Sequence, residues 1–331
     1  MDWRIRRLGQ SVFTVWAVMT LTFVLTRFMP GNPIDYFLVE VGPDLDDPAQ
    51  AYEMAELYMN INPEDPLYIE YYDYMTAFMQ GDLGRSMSMN MPVEEVLAIA
   101  IPWTLFVMSW AVFLGFTAGI AIGAVMAYWE GGKFDTALTG YATIITSIPF
   151  YVLALVLLTI FAYRLNWFPT GGRQPEGVEP GFNFLYLTGI VHHAMLPVFS
   201  MFVTSGMAAL TMRGNSIRVL GSDYLRVARL RGLSDPTIAI HYVARNAILP
   251  MYTGLMIAIG SMFGGAVVLE EIFVYRGMGW YLIEAVRARD YPLMMGAFTV
   301  ITIAVVIALL IADLTYGKID PRAGGENREA F

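Results

Sequence analysis

Two long stretches without a single charged residue, 101–129 and 136–163, most constrain what this chain can fold into. Each exceeds the roughly 20 apolar residues that a helix needs to cross a hydrocarbon core of about 30 Å. Only the short turn 130–135 separates them. Backbone N–H and C=O groups cannot stay unpaired in lipid, so both stretches must be helical. Four more segments of similar character lie at 8–29, 189–212, 247–269 and 293–312. The chain therefore reads as an all-α polytopic membrane protein with six transmembrane helices. None of the six shows the alternating apolar pattern of a membrane β-barrel.

The first segment follows Arg4, Arg6 and Arg7, like the charged start of a signal peptide. Its apolar run is too long for one, and Met29-Pro30-Gly31-Asn32-Pro33 ends it as a helix stop rather than a cleavage site. Residues 1–30 are read as a cytoplasmic N-terminus plus a retained span. Direction follows from the basic residues, which concentrate on the cytoplasmic side of membrane proteins. With the N-terminus inside, thirteen of the 20 Lys and Arg fall on cytoplasmic pieces and seven outside. Both termini are then cytoplasmic, including the tail 317–331.

Composition excludes some chemistry. The chain has no cysteine, which removes disulfides, thiolate nucleophiles and cysteine metal sites. The net charge of −9 argues against nucleic acid as a partner. Only two lysines, Lys133 and Lys318, stand among the basic residues, and an acidic, lysine-poor chain fits a prokaryote of high-salt habitat.

The longest connection, 31–100, falls outside and holds 14 acidic residues against one basic residue, Arg85. Asp47-Pro48 and Asp65-Pro66 are helix starts, expected to run to about Asn60 and Gln80, with a turn at Gly81-Asp82-Leu83-Gly84. This gives a small external helical cap between the first two spans. The segment 165–188, rich in Pro and Gly, reads as irregular, and 270–292 as a loop. Pro149 should kink the third span, and Arg27 and Arg164 should snorkel to the outer surface. The adjacent His192 and His193 point about 100° apart on a helix, so they make no chelate.

The inner loop 213–246 carries the most information. Ser222 or Asp223 can cap a helix over Tyr224 to Arg231, which Gly232 ends with a left-handed turn. Asp235-Pro236 starts a second helix holding His241, Arg245 and Asn246, and Pro250 marks the entry to the fifth span. Tyr224, Leu225, Val227 and Ala228 give the short helix apolar contact surface, and Arg226, Arg229 and Arg231 give it charge. So short a helix is marginal alone and needs a partner surface.

Asp223-Tyr224-Leu225-Arg226-Val227-Ala228-Arg229, with Arg231-Gly232-Leu233 and Arg245-Asn246-Ala247 before Leu249-Pro250, resembles the EAA loop of binding-protein-dependent ABC permeases. The form is that of the dipeptide, oligopeptide and nickel subgroup; Arg226-Val227-Ala228 stands where the general pattern has Glu-Ala-Ala. Gly81-Asp82-Leu83-Gly84-Arg85-Ser86, Gly264 to Glu270, Gly277-Met278-Gly279, Arg289-Asp290-Tyr291-Pro292 and Asp320-Pro321-Arg322 are similar to further pieces of that family, so the resemblance covers nearly the whole chain. It implies a MetI-like permease core over 101–316 in the cell membrane. It also implies pairing with a second permease, two cytoplasmic ATPase subunits that bind the ATP, and an external solute-binding protein. The cargo would be a peptide-like solute, nickel or an oligosaccharide. Asp223 to Arg229 and Gly232 become the ATPase-coupling residues. No GxxxxGK[ST] loop is present, so the chain is not expected to hydrolyse ATP or to bind a cofactor itself. An ion-coupled secondary transporter is the alternative, but it calls for ionisable residues at mid-membrane, and spans two, three and five have none.

The topology has a direct test. A cysteine at Asp47 should react with a membrane-impermeant thiol reagent added outside, and one at Ser234 should not; the cysteine-free chain gives no background. The opposite labelling pattern would reverse the orientation.

Overall fold

The computed structural model describes residues 3–28, 58, 65–204, 206–234, 237–260 and 262–319. In chain order these form α1 (Trp3–Arg27), α2 (Leu67–Met79), the strands β1 (Arg85–Ser86) and β2 (Met91–Pro92), and α3 (Val93–Tyr128). Next come α4 (Lys133–Thr146), α5 (Phe150–Leu157), a π-helical continuation (Leu158–Arg164), α6 (Phe184–Val203) and α7 (Gly206–Leu220). After α8 (Asp223–Leu230), a π-helical stretch (Ile238–Ala244) runs into α9 (Arg245–Gly260), followed by α10 (Met262–Ile272), α11 (Met278–Ala288) and α12 (Tyr291–Ile319). The expected helix from Asp47 lies outside the described residues; the one after Asp65-Pro66 is α2.

Among the described residues, five helices are long and apolar enough to cross a membrane: Ile5–Arg27, Val93–Tyr128, Phe184–Val203, His241–Gly260 and Tyr291–Thr315. The third expected span divides into α4 and the helix Phe150–Arg164, bent by 95°, and makes a sixth crossing if the pair counts as one. Pro149 causes a break here rather than a kink. It lacks an N–H and pushes the residue before it out of helical geometry, and then serves as N-cap of α5 with its carbonyl accepting from Val152 N at 3.0 Å. The fourth and fifth expected spans also divide, into α6 with α7 and α9 with α10. Pro250 lies within α9, not at its start. The segment expected as a loop over 270–292 contains the three-turn helix α11. Among the described residues, the one pair of strands is β1–β2, antiparallel in the register Arg85↔Pro92 and Ser86↔Met91.

The chain packs as two compact units, the described residues of Met1–Leu105 with Phe263–Ile307, and those of Phe106–Met262 with Ala308–Phe331. The first unit has its core where Val93, Val96, Leu97 and Ala100 of α3 meet Met278, Leu282 and Ala285 of α11 and Leu293 and Ala297 of α12. Three buried carboxylates are tied into it. Arg27 does not snorkel to the surface as expected; it is mostly buried and pairs with the fully buried Glu70 of α2. Burial pushes the Glu70 carboxyl up, against the opposing pull of Arg27.

The second carboxylate, Glu270, lies under the start of α11. It accepts from Gly279 N at 2.7 Å, from Trp280 N at 3.1 Å and from Thr104 Oγ1 at 2.5 Å, while Thr104 Oγ1 accepts from Met278 N at 2.8 Å. The first three amides of α11, which have no partner inside their own helix, are thus satisfied by two side chains from outside it, Glu270 just upstream and Thr104, 174 positions away. Gly277 is required beside them, since a Cβ there would sit 2.4 Å from Glu270 Oε1 and 2.5 Å from Thr104 Oγ1. The third, Asp290, caps α12 through Leu293 N at 3.2 Å, and its other oxygen accepts from Ser86 Oγ (2.5 Å), Ser88 N (2.9 Å) and Ser88 Oγ (2.7 Å). The hairpin after Gly84 is pinned to α12 in this way.

In the second unit α7 packs against α4 and α9, and α5 against α6. The crossing of α3 and α7 is tight: a Cβ at Gly119 would lie 2.5 Å from Ala208 Cβ, and one at Gly123 would lie 2.4 Å from Ala209 O. Lipid gives helices little hydrophobic drive to associate, so small residues that admit close backbone approach hold them instead.

Removing the Glu270 carboxylate should orphan two buried amides of α11, at a cost of about 1–3 kcal/mol. Glu270→Ala is therefore expected to lower the melting temperature of the detergent-solubilised protein, read by loss of its monodisperse chromatographic peak on heating. The exposed Glu95→Ala should shift it by no more than about 0.5 kcal/mol equivalent.

Candidate functional site

Helix α8 is the centre of the segment expected to act. Its sequence carries two apolar stripes, and the structure assigns each a direction. Leu225 and Ala228 are buried at 0% and 3% exposure, packed with Ile238 and Val243 against Val219, Leu220, Leu233 and Tyr242. Tyr224, Val227 and Leu230 are exposed at 43%, 53% and 81%. The four apolar residues expected to form one contact surface are therefore divided, two inward and two outward. Leu230 joins the outward pair, a residue the sequence reading did not single out. Its spacing of three from Val227 was the available signal. Asp223, Arg226, Arg229 and Arg231 are exposed around this face.

Both ends of α8 are fixed by backbone. Ser222 is its N-cap by position, but the hydroxyl donates back to Val219 O at 2.5 Å instead of capping, and the Ser222 carbonyl accepts from Leu225 N at 3.2 Å. At the other end Gly232 has φ of +71°, Gly232 N donates to Arg229 O at 2.9 Å and Leu233 N to Ala228 O at 3.3 Å. That is a Schellman stop with Leu233 packed under it. Nothing lies within 4 Å of where a Gly232 Cβ would point, so any cost of substitution comes from the left-handed backbone alone. The start signal Asp235-Pro236 lies outside the described residues. His241, Arg245 and Asn246 follow on the continuous helical run into α9, where Asn246 Nδ2 donates to Tyr242 O at 2.7 Å.

A second feature escaped the sequence reading. Asp135, at the start of α4, is almost fully buried and receives a two-pronged pair from Arg213 of α7: Nε to Oδ1 at 2.5 Å and Nη2 to Oδ2 at 2.7 Å. Gly131 N adds a bond at 3.0 Å and Thr139 Oγ1 one at 3.4 Å. The Arg213 hydrogen bonds hold the Asp135 carboxyl down at about 2. The lowering favours the charged form, in keeping with a structural ion pair. The partners stand 78 positions apart, a distance at which no local pattern signals them.

Other candidates are engaged elsewhere. His192 Nε2 lies 2.8 Å from Trp167 O, and His193 Nδ1 lies 2.8 Å from Gly189 O, the ring centroids being 6.4 Å apart. Among the described residues, no three His, Cys, Asp or Glu side chains gather as they would around a metal. The ending Asp320-Pro321-Arg322 lies outside the described residues.

The chain matches known proteins over these features. The family described as binding-protein-dependent transport system inner membrane component matches residues 119–325. Over 321 residues the chain is 33% identical to the oligopeptide transport system permease protein AppB of Bacillus subtilis (strain 168), covering 96% of this chain and 98% of that one. It is 30% identical to the di/tripeptide transport system permease protein DppB of Pseudomonas aeruginosa (strain UCBPP-PA14), covering 96% and 97%. It is 31% identical to the probable D,D-dipeptide transport system permease protein DdpB of Escherichia coli (strain K12), covering 95% and 94%. These findings give no support to an ion-coupled secondary transporter, and subunits of this family are not enzymes themselves. Membrane-length helices, the family match and near-full-length likeness to these permeases agree: the chain belongs to the binding-protein-dependent permease family and is a transmembrane permease subunit of an ABC importer.

Proposed function

We propose that this subunit forms, with a second homologous permease, the pathway by which a peptide-like solute enters the cell, and that α8 is where the energy arrives. The cargo class is supported by the relatives, whose names are those of oligopeptide, dipeptide and tripeptide permeases. In this reading the loop 213–246 and both termini are cytoplasmic, following the basic residues. An external solute-binding protein delivers the cargo. Two separate ATPase subunits bind the ATP, and this chain carries no nucleotide or other cofactor.

The observation that carries the proposal is the divided face of α8. Leu225 and Ala228 anchor the helix to its own subunit, which leaves Tyr224, Val227 and Leu230 outward among arginines. An isolated eight-residue helix is marginal in water. Held by its inner stripe and by the Gly232 stop, it is presented as a preformed ridge for a protein groove. A membrane surface would also take an amphipathic basic helix, so the two readings part on whether ATPase docking depends on its outward residues.

Co-purification of the ATPase subunits, at equal membrane abundance of the permease, separates them. Val227→Glu replaces the middle of the outward apolar ridge with a carboxylate and should weaken docking by about tenfold or more. Gly232→Val strains the left-handed turn by about 1 kcal/mol or more, tilts or frays α8, and should lower both ATPase recovery and transport. Unchanged recovery together with unchanged transport in both variants would remove α8 as the coupling element. The purified permease, shown free of other subunits, should hydrolyse no ATP.

A further inference from the structure

The route from α8 into the rest of its unit is short and continuous. Gly221 N donates to Ile217 O at 3.2 Å and Ser222 N to Val219 O at 3.0 Å, so α7 passes into α8 through a tight hydrogen-bonded turn. Val219 and Leu220 at the end of α7 also lie under the inner stripe of α8. A displacement of α8 is therefore passed to α7, through the turn, as well as to the stretch Ile238–Ala244 that shares its inner packing. What α7 grips then decides which parts of the unit follow it.

Its grip is unusual at two places. Along its length, Ala208, Ala209 and Met212 sit against Gly119 and Gly123 of α3, with no room for a side chain between the helices. One residue beyond Met212, Arg213 closes its fork on Asp135. Asp135 Oδ2 also accepts from Gly131 N in the turn that joins α3 to α4. One carboxylate thus fastens α7, the α3–α4 turn and the start of α4 at a single point. The side chain of Asp135 is 3% exposed and that of Arg213 is 26% exposed. Two bonds in a fork fix orientation as well as distance, which a single contact or an ammonium group does not.

We infer that Asp135 and Arg213 are positioning residues for transport: they make the α3–α4 turn, α7 and α8 move as one body, so that displacement of α8 is delivered to α3 and α4 instead of being absorbed at the end of α7. The inference rests on the docking reading of α8 and adds the element through which docking acts. In this role the carboxylate and the guanidinium act through the helices they join. Close glycine packing alone resists compression, but sliding and rotation along the crossing need a directional bond to stop them. The Asp135–Arg213 fork supplies that bond at the end nearer α8.

The test uses the assembled importer in lipid, with spin labels on Lys133→Cys and Ser234→Cys of this otherwise cysteine-free chain and the partner subunits also freed of cysteine. With the native pair in place, the distance between labels should be narrow and the same without nucleotide and with ATP trapped. Removing only one partner would leave a buried charge unmatched and threaten folding. The main variant is therefore the neutral pair Asp135→Asn with Arg213→Gln, and the reversed pair Asp135→Arg with Arg213→Asp tests rescue. For the neutral pair we expect ATPase co-purification at the native level, a broadened label distance, and solute transported per ATP hydrolysed down by about tenfold. Partial recovery of that ratio in the reversed pair supports the inference further. A native ratio and a native distance in the neutral pair would overturn it. So would a loss of transport that only follows reduced abundance or reduced ATPase recovery, since that marks a role in folding alone. Failure of the docking reading has a different signature, unchanged ATPase recovery and unchanged transport in Val227→Glu and Gly232→Val with the Asp135–Arg213 pair intact.

Discussion

A carboxylate that leaves water must be met by donors, and in a chain with so little polar surface this requirement shapes the structure. Burying an unpaired charge costs far more than an apolar contact returns. Glu70, Asp135, Glu270 and Asp290 are all nearly or fully buried. Each joins elements far apart in the sequence: Glu70 holds α1 to α2, Asp135 holds α4 to α7, Glu270 holds α10 to α3 and the start of α11, and Asp290 holds α12 to the β1–β2 hairpin. Apolar side chains cannot do this with the same precision, because lipid tails compete with them on nearly equal terms. Charge and hydrogen bonding set which helix meets which, and close packing fills in behind.

The four carboxylates differ in what meets them. Glu270 and Asp290 are met by backbone amides and hydroxyls at the starts of helices, where the helix dipole also favours negative charge. Their bonds close the ends of α11 and α12 and leave nothing over for a ligand. Asp135 is met by a guanidinium, and Glu70 by another. An ion pair of that kind can be weak evidence for stability, since its desolvation offsets its attraction. The Asp135 pair sits at a joint between helices, where the positioning role proposed for it would act.

Much of the helical plan is legible in the sequence because the bilayer punishes exceptions. The uncharged stretches had to become helices: α3 lies over the first, and α4 with the helix Phe150–Arg164 lies over the second. Asp65-Pro66 announced α2, and Gly232 announced the stop of α8, because each rests on a local backbone rule. The misses have a common physical cause. The 95° break at Pro149 was foreseen only as a kink, since a proline inside a helix can bend it or end it and local sequence does not say which. Helix α11 is hidden in the sequence because Gly277 at its start has no side chain to cap with, and one of its amide partners, Thr104, lies 174 positions away. Arg27 was read as a snorkelling residue because Glu70 lies 43 positions away.

Helix α8 shows where such reading must stop. Leu225 and Ala228 form one apolar stripe; Tyr224, Val227 and Leu230 form another. Both have helical spacing, and an apolar moment alone cannot tell which faces the core. The choice is made by what surrounds the helix. Val219 and Leu220 arrive from α7, and Ile238 and Val243 arrive from the run into α9, and they enclose the stripe with the smaller side chains. The larger stripe is left outward. A helix this short has an inner contact that orders it, and, if a partner docks on it as proposed, its outward stripe is the contact that forms and breaks. Ordering a helix costs conformational entropy. Here the subunit's own packing meets that cost, so the proposed docking would not have to fold the helix as well as bind it. A ridge that is already rigid transmits displacement, whereas a segment that folded on binding would absorb it.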